Sequence, residues 1–128
     1  MLIAIAIGAS RWPAFAAGQA EPSLDGAYSA AQAARGEATF KDACTACHNI
    51  DDMAGERFRA SWKDQSAGDL LEFLANAMPQ GDPGSLTADE YVSIIAYFLS
   101  RSGYVAGERD LPADKTELAR LRIAPLVR

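Results

Sequence analysis

The stretch CTACH, Cys44 to His48, contains both cysteines of this 128-residue chain and its only histidine. Thiolate and imidazole are the side-chain groups that bind borderline and soft transition metals most readily. Four interpretations of this clustering are open at first: a redox-active disulfide, a zinc site, covalent attachment of haem, and chance. The rest of the sequence discriminates between them.

The disulfide and zinc interpretations do not fit the stretch and its surroundings. A thioredoxin-like C-x-x-C lies between a strand and a helix, whereas here a helical pattern precedes Cys44 and no strand pattern flanks it. Structural zinc takes four Cys or His ligands, and this chain offers three. A disulfide between Cys44 and Cys47 leaves His48 without a role. Covalent haem accounts for all three residues, because two thiols at this spacing form thioethers with the vinyl groups and the next histidine binds the iron.

A haem iron bound by His48 has a second axial position on its opposite face. With no second histidine, methionine, lysine, tyrosine, water or no ligand at all remain, and the chain has three methionines. Met1 belongs to an apolar N-terminal segment, and Met53 follows His48 so closely that it would have to round the haem edge at once. Met78 lies thirty residues after His48 and precedes Pro79, which favours extended backbone before it and a loop that presents the thioether. The sequence therefore predicts His48 and Met78 as the metal ligands.

Three amphipathic helices are predicted, and strand patterns are poor. Each helix begins with a residue pair typical of N-termini: Ser29 with Gln32, Ser66 with Asp69, and Thr87 with Glu90. Apolar residues at spacings of three and four place the helices at about Ala30–Cys44, Ala67–Ala77 and Ala88–Arg101. Their predicted apolar faces are Ala33, Gly36 and Phe40; Leu70, Phe73, Leu74 and Ala77; and Tyr91, Ile94, Ile95, Phe98 and Leu99. Gly103 is predicted to end the third helix, and Asn49–Gly55 and Pro79–Gly84 are predicted loops. The fold class is all-α.

Charge and the first residues limit the partners and the location of the protein. The chain has 17 acidic and 12 basic residues, a net charge of −5 and no basic run, which argues against nucleic acid as a partner. The apolar run Leu2–Ala9 is too short to span a bilayer, and Ala14-Phe15-Ala16 fits a signal-peptidase site. We expect residues 1–16 to be a signal peptide with a truncated n-region, and the exported protein to be periplasmic without a membrane span. The alternative for this segment is a short buried helix.

From about Ala30 to Gly107 the sequence resembles the class I monohaem c-type cytochromes. The positions at which the first and last helices of that family cross are matched by Gly36, Phe40 and Ala96-Tyr97-Phe98-Leu99. A further likeness, to monohaem cytochrome domains and subunits that accept electrons from periplasmic quinoprotein dehydrogenases such as alcohol dehydrogenases, rests on Met78-Pro79, Pro83 to Leu86, Glu90-Tyr91, Ala96-Tyr97, Ser102-Gly103-Tyr104 and Gly107. The lysine-rich docking face of basic mitochondrial relatives is not evident.

This resemblance implies a cytochrome c fold around one haem c, bound covalently through Cys44 and Cys47. The cytochrome c domain is expected at residues 17–107, and residues 108–128 form a C-terminal extension that we expect to pack on it. Candidate residues of the haem pocket, besides the cysteines and the axial ligands, are Phe58, Trp62, Leu70, Leu71, Phe73, Leu74, Tyr91 and Ile95.

The implied function is electron transfer rather than enzymatic catalysis. The iron would cycle between Fe(III) and Fe(II) with His48 and Met78 as axial ligands. Electrons would pass from a dehydrogenase, with a quinoprotein dehydrogenase as the candidate, to a respiratory acceptor such as a terminal oxidase or another cytochrome. Two alternatives stay open: a haem subunit of a larger oxidoreductase complex, and a haem sensor or enzyme that binds a small molecule.

Overall fold

Six α-helices form the regular secondary structure of the computed structural model, which describes residues 24–124. In chain order they are α1 (Ala30–Ala43), α2 (Ile50–Met53), α3 (Gly55–Ser61), α4 (Ala67–Ala77), α5 (Ala88–Arg101) and α6 (Lys115–Leu118). Within the described range the extended pairing is limited to two isolated bridges, Ser29 with Gly107 and Ser66 with Arg122. The predicted all-α class is therefore confirmed. The predicted signal peptide, residues 1–16, and the predicted domain start at residue 17 lie outside the described residues.

The three predicted helices begin at the predicted N-caps. Ser29, Ser66 and Thr87 each accept a hydrogen bond from the backbone N–H three residues later. At α4 and α5 the pairing is reciprocal, because the carboxylates of Asp69 and Glu90 accept hydrogen bonds from the N-cap backbone N–H at 2.7 Å in both cases. Each exchange satisfies two backbone donors that a helix start would otherwise leave free.

At α1 the predicted partner residue has another role. The side chain of Gln32 does not turn back to Ser29; it donates to the carbonyl of Leu111 at 2.9 Å and accepts from the Leu111 N–H at 2.7 Å. The prediction of a reciprocal pair was wrong here because a buried amide can satisfy the donor and acceptor of a passing chain at once. Gln32 thus fixes the C-terminal segment, residues 107–124, to α1.

The first and last long helices cross in close contact. A Cβ atom added to Gly36 would lie 1.8 Å from the carbonyl oxygen of Ser93 in α5, so only hydrogen fits between the two backbones. Next to the crossing, the ring of Phe40 packs against Tyr97 and Phe98 with centroid distances of 5.8 and 5.7 Å. The crossing predicted from Gly36 and Phe40 is confirmed.

The apolar face of α4 differs from the predicted face. Its buried residues are Ala67, Leu70, Leu71 and Leu74, whereas Phe73 is 47% exposed. Consecutive residues are separated by about 100° around a helix axis, so the side chain of Phe73 points away from the buried face that contains Leu74. There it packs edge-on against Trp62, with the ring centroids 5.6 Å apart.

Helix α5 is the centre of the core and is buried more completely than its periodicity predicts. Every residue from Tyr91 to Leu99 is buried, because α1 and α4 pack on different sides of it. It ends as predicted at Gly103, whose φ is +92°, and the N–H of Tyr104 donates to the carbonyl of Leu99 at 3.2 Å. This arrangement is a Schellman motif.

The predicted loop Asn49–Gly55 was wrong, since it contains α2 and the start of α3. Asn49 caps α2 by accepting a hydrogen bond from the Asp51 N–H at 3.0 Å. A four-residue helix is too short to show an apolar period, so the sequence pattern gave no signal for it. The buried hydroxyl of Ser102 accepts from the Gly55 N–H at 3.0 Å, which holds the start of α3 against the end of α5.

The C-terminal segment lies on α1 and then crosses to α4. The N–H of Gly107 donates to the carbonyl of Tyr28 at 2.7 Å, and near the other end the N–H of Ile123 donates to Gln65 at 2.8 Å. Leu111, Leu118 and Ile123 are buried. These residues therefore belong to the same hydrophobic core as the helices.

Candidate haem-binding site

The CTACH stretch forms a tight turn at the end of α1. Cys44 is the C-cap, and its N–H donates to the carbonyl of Phe40 at 2.9 Å. The Cys44 carbonyl then accepts from the N–H groups of Cys47 at 3.1 Å and His48 at 2.9 Å. One backbone oxygen therefore fixes the conformation of the whole stretch.

This turn borders a cavity of about 580 Å³. Cys44, Cys47 and His48 line it, and so does Met78 from the far end of α4. The other lining residues are Phe40, Ala43, Met53, Leu74, Pro79, Gln80, Gly81, Leu86, Tyr91, Ile94 and Phe98. The structure thus brings the two cysteines and both predicted axial ligands to one space.

The chemistry of the cysteines argues against the competing interpretations. Burial raises the pKa of the Cys44 thiol, whereas a redox-active cysteine has a lowered pKa that favours the thiolate. Among residues 24–124 no group of three or more His, Cys, Asp or Glu side chains could hold a metal ion, which removes the zinc site from that range. The strand that a thioredoxin-like motif requires is also missing around the described Cys44–His48 turn.

Met78 has the extended backbone that its position before proline predicts. It is the C-cap of α4 with φ −131° and ψ 148°, and its N–H donates to the carbonyl of Leu74 at 2.9 Å. The half-buried Met53 lines the same cavity. Two thioethers are therefore available to an iron in this space, and the choice of Met78 stays a prediction.

The residues of the cavity fit a haem. The lining has no Asp, Glu, Lys or Arg, and its volume lies in the range of about 300–1,000 Å³ that is typical of cofactor sites. Two thiols for thioether bonds, one imidazole and one methionine thioether are the donor set of a His/Met c-type haem, and the cavity offers all of them. An apolar macrocycle is therefore compatible with both the walls and the ligands of this cavity.

A model of the family described as "Cytochrome C oxidase, cbb3-type, subunit III" matches residues 31–98, which is more than half of the 128-residue chain. The chain belongs to this family and is a class I c-type cytochrome. The matched range runs from α1 through the CTACH turn and Met78 into α5. Searches of the curated proteins and of the solved structures find no match. Haem c and haem-based electron transfer follow from the family.

The predicted pocket residues of the cytochrome fall into two groups, those that line the cavity and those that do not. Leu74 and Tyr91 line the cavity, whereas the other predicted pocket residues lie outside the lining: Phe58, Trp62, Leu70, Leu71, Phe73 and Ile95. Phe58 instead packs against Phe98 from the other side, with centroids 6.1 Å apart. Phe58, Leu70, Leu71 and Ile95 belong to the hydrophobic core, Trp62 packs against it, and Phe73 is exposed.

Sequence reasoning missed four large apolar residues that line this cytochrome's cavity: Phe40, Leu86, Ile94 and Phe98. Phe40 precedes Cys44 by one helical turn, and Ile94 and Phe98 follow Tyr91 at spacings of three and seven. Residues at these spacings share a helix face. Phe40, Ile94 and Phe98 could therefore have been predicted from the sequence, because they share a helix face with Cys44 or with Tyr91.

No helix among the described residues of the cytochrome is long and apolar enough to cross a membrane.

Proposed function

We propose that this cytochrome is an exported one-electron carrier with one haem c, bound through Cys44 and Cys47 and ligated axially by His48 and Met78. The observation that carries the proposal is that all four residues line one cavity without acidic or basic walls other than the histidine. Export is supported by the apolar run Leu2–Ala9 and the small residues at Ala14–Ala16.

When bound, haem c supplies one-electron exchange between Fe(III) and Fe(II). A thioether from Met78 opposite an imidazole favours the reduced iron and raises the potential. The apolar side chains of Phe40, Ile94 and Phe98 exclude water from the cavity, which acts in the same direction because the oxidised haem carries the extra positive charge. The chain's own residues thus set the direction in which the potential is shifted.

With His48 and Met78 as its protein ligands, the iron would have no position for a substrate, and the haem would exchange electrons with a partner without binding a substrate. Cys47 lines the cavity and is exposed to solvent, so the wall of the site reaches the surface there. We infer that the cytochrome accepts electrons from a dehydrogenase and delivers them to a respiratory acceptor, a terminal oxidase or another cytochrome. Contacts between redox proteins are typically small and short-lived. A quinoprotein donor is supported by the likeness of the segment from Met78 to Gly107.

A second candidate function is that of a haem subunit in a larger oxidoreductase complex. The observation that favours it is the description of the matching family, which names a subunit of an oxidase. Size-exclusion chromatography of the native host extract, followed by haem staining, distinguishes the two. A free carrier elutes near its own mass of 13.6 kDa or less, and a subunit elutes with the complex.

Optical spectra of the protein matured with haem test the site itself. Haem that stays with the protein through acid-acetone extraction supports the two thioether bonds. A weak long-wavelength sulfur-to-iron band in the oxidised protein supports methionine ligation. Rapid binding of carbon monoxide by the reduced protein would instead indicate an open sixth position and favour the sensor or enzyme.

A further inference from the structure

We propose that Tyr91 is a positioning residue for Met78. Its hydroxyl joins the two ends of the loop that begins with Met78, residues 78–84, which we call the methionine loop. The inference rests on the proposed ligation of the iron by Met78. It adds to that proposal the residue that holds the ligand-bearing loop in place.

The phenol of Tyr91 joins the two ends of the methionine loop. Tyr91 is buried in the first turns of α5, and its hydroxyl donates to the carbonyl of Met78 at 2.7 Å. The same oxygen accepts from the backbone N–H of Gly84 at 3.1 Å. One side chain therefore bonds to the residue that starts the loop and to the residue that ends it.

The loop has little else to hold it against the body of the protein. Residues 80–85 are all exposed. The Met78 N–H joins the start of the loop to Leu74 in α4 at 2.9 Å, and the other backbone hydrogen bonds are turns, from the Asp82 N–H to Pro79 at 2.9 Å and from the Ser85 N–H to Asp82 at 3.3 Å. Among the described residues, residues 78–85 have two hydrogen bonds to a side chain, and both are to the hydroxyl of Tyr91. Exposed backbone with few buried contacts opens at low free-energy cost.

The methionine loop also forms a wall of the haem cavity, since Met78, Pro79, Gln80 and Gly81 line it together with Tyr91. A loop that opens carries the Met78 thioether away from the iron. The two hydrogen bonds of Tyr91 oppose this opening, and phenylalanine keeps the aromatic wall while removing both. Loss of the hydroxyl should therefore raise the frequency of Met78 dissociation with little change in the packing of the cavity.

The experiment compares Tyr91→Phe with Tyr28→Phe in the haem-loaded protein. Tyr28 is a matched control, because its buried hydroxyl also donates to a backbone carbonyl, that of Tyr104 at 2.6 Å, and it does not line the cavity. The readout is the rate at which imidazole replaces methionine on the oxidised iron, monitored by loss of the sulfur-to-iron band. We expect about a tenfold faster replacement in Tyr91→Phe, the size that loss of one to two hydrogen bonds supplies, and the wild-type rate in Tyr28→Phe.

A measurement on the wild type covers the case in which Tyr91→Phe does not fold. The amide hydrogen of Gly84 should exchange slowly with solvent although the residue is exposed, and that of Gly81 in the same loop should exchange fast. An unprotected Gly84 amide, or an imidazole rate unchanged in Tyr91→Phe, overturns the role of Tyr91 while leaving the ligation intact. A wild-type spectrum without the sulfur-to-iron band overturns the ligation first, and the role of Tyr91 with it.

Discussion

Two methionines, Met53 and Met78, line one cavity, and their positions along the chain favour Met78 as the predicted iron ligand. Met53 ends α2, five residues after His48, whereas Met78 caps α4 on another part of the wall. The backbone of the CTACH turn is fixed by hydrogen bonds to the Cys44 carbonyl, so α2 follows His48 directly. Because only five residues separate Met53 from His48, Met53 is expected on the same side of the iron as the histidine. Met78 lies thirty residues away, so its position is not limited in this way.

Replacing Met78 by leucine should abolish the sulfur-to-iron band and lower the reduction potential, because leucine has the volume of methionine but no ligand atom. The reduced variant should also bind carbon monoxide rapidly. Met53→Leu is the matched control and should keep the band and the slow reaction with carbon monoxide. Loss of the band in Met53→Leu together with its survival in Met78→Leu would reverse the assignment.

At the scale of elements, the fold depends on the crossing of α1 and α5. The carbonyl of Ser93 occupies the space in which a side chain at position 36 would begin. Cores resist added volume because the surrounding atoms are already close-packed. The helices can therefore keep this separation only with glycine at that position.

We expect Gly36→Ala to lower the free energy of unfolding by about 3 kcal/mol or more, since its Cβ would lie 1.8 Å from a backbone oxygen. The higher helix propensity of alanine, worth about 1 kcal/mol, is too small to compensate. Ala34→Gly serves as the control, because Ala34 is exposed on the same helix, and it should lower stability only by the difference in helix propensity, about 1 kcal/mol. Urea unfolding measures both variants, and equal midpoints would contradict the close crossing.

The start of α4 should make stability depend on pH. Hydrogen bonds from the backbone and hydroxyl of Ser66 lower the pKa of Asp69 below its ordinary value of 3.8. A carboxyl with a depressed folded-state pKa stabilises the fold above its unfolded pKa, and that stabilisation is lost as the pH falls through the folded value. Because Asp69 is largely solvated, the effect should stay below about 1 kcal/mol.

Asp69→Asn should therefore be less stable than the wild type at neutral pH, and the difference should shrink as the pH falls below about 4. Thermal unfolding at a series of pH values measures this. Asp42→Asn, at an exposed position near the end of α1, controls for the change in net charge. A difference between Asp69→Asn and the wild type that is independent of pH would contradict the role of the ionised cap.

At the scale of the whole molecule, the haem cavity lies inside the same core that joins the helices. Phe40 and Phe98 contact each other across the α1–α5 interface and both line the cavity. The cofactor therefore fills space between elements whose packing holds the fold together. The C-terminal segment closes the core elsewhere, through Gln32 and through Leu118 against α4.

Cys44→Ala combined with Cys47→Ala should give a largely unfolded chain when expressed with the haem-attachment machinery, because a core with a cavity of about 580 Å³ loses contacts on every wall. Far-UV circular dichroism measures the helical content. Thr45→Ala, which keeps C-x-x-C-H intact, is the control and should retain both haem and helices. Native-like helical content in the double variant without haem would show that the polypeptide folds by itself.

Several features of this protein depend only on residues that are neighbours along the chain. The C-x-x-C-H spacing, the N-caps of α1, α4 and α5, the left-handed Gly103 and the extended Met78 before Pro79 all follow from local backbone and hydrogen-bond chemistry. The close contact at Gly36 was also predictable, once its face was known to carry Phe40.

Which helix faces pack together is visible in the folded protein alone, because periodicity identifies an apolar side chain but not its partner. Phe73 has the right spacing for the core and lies outside against Trp62. Gln32 has the right type for a capping partner and binds Leu111, far along the chain. The bond from Tyr91 to both ends of the methionine loop likewise requires α5 to lie beside residues that precede it, which no local pattern contains.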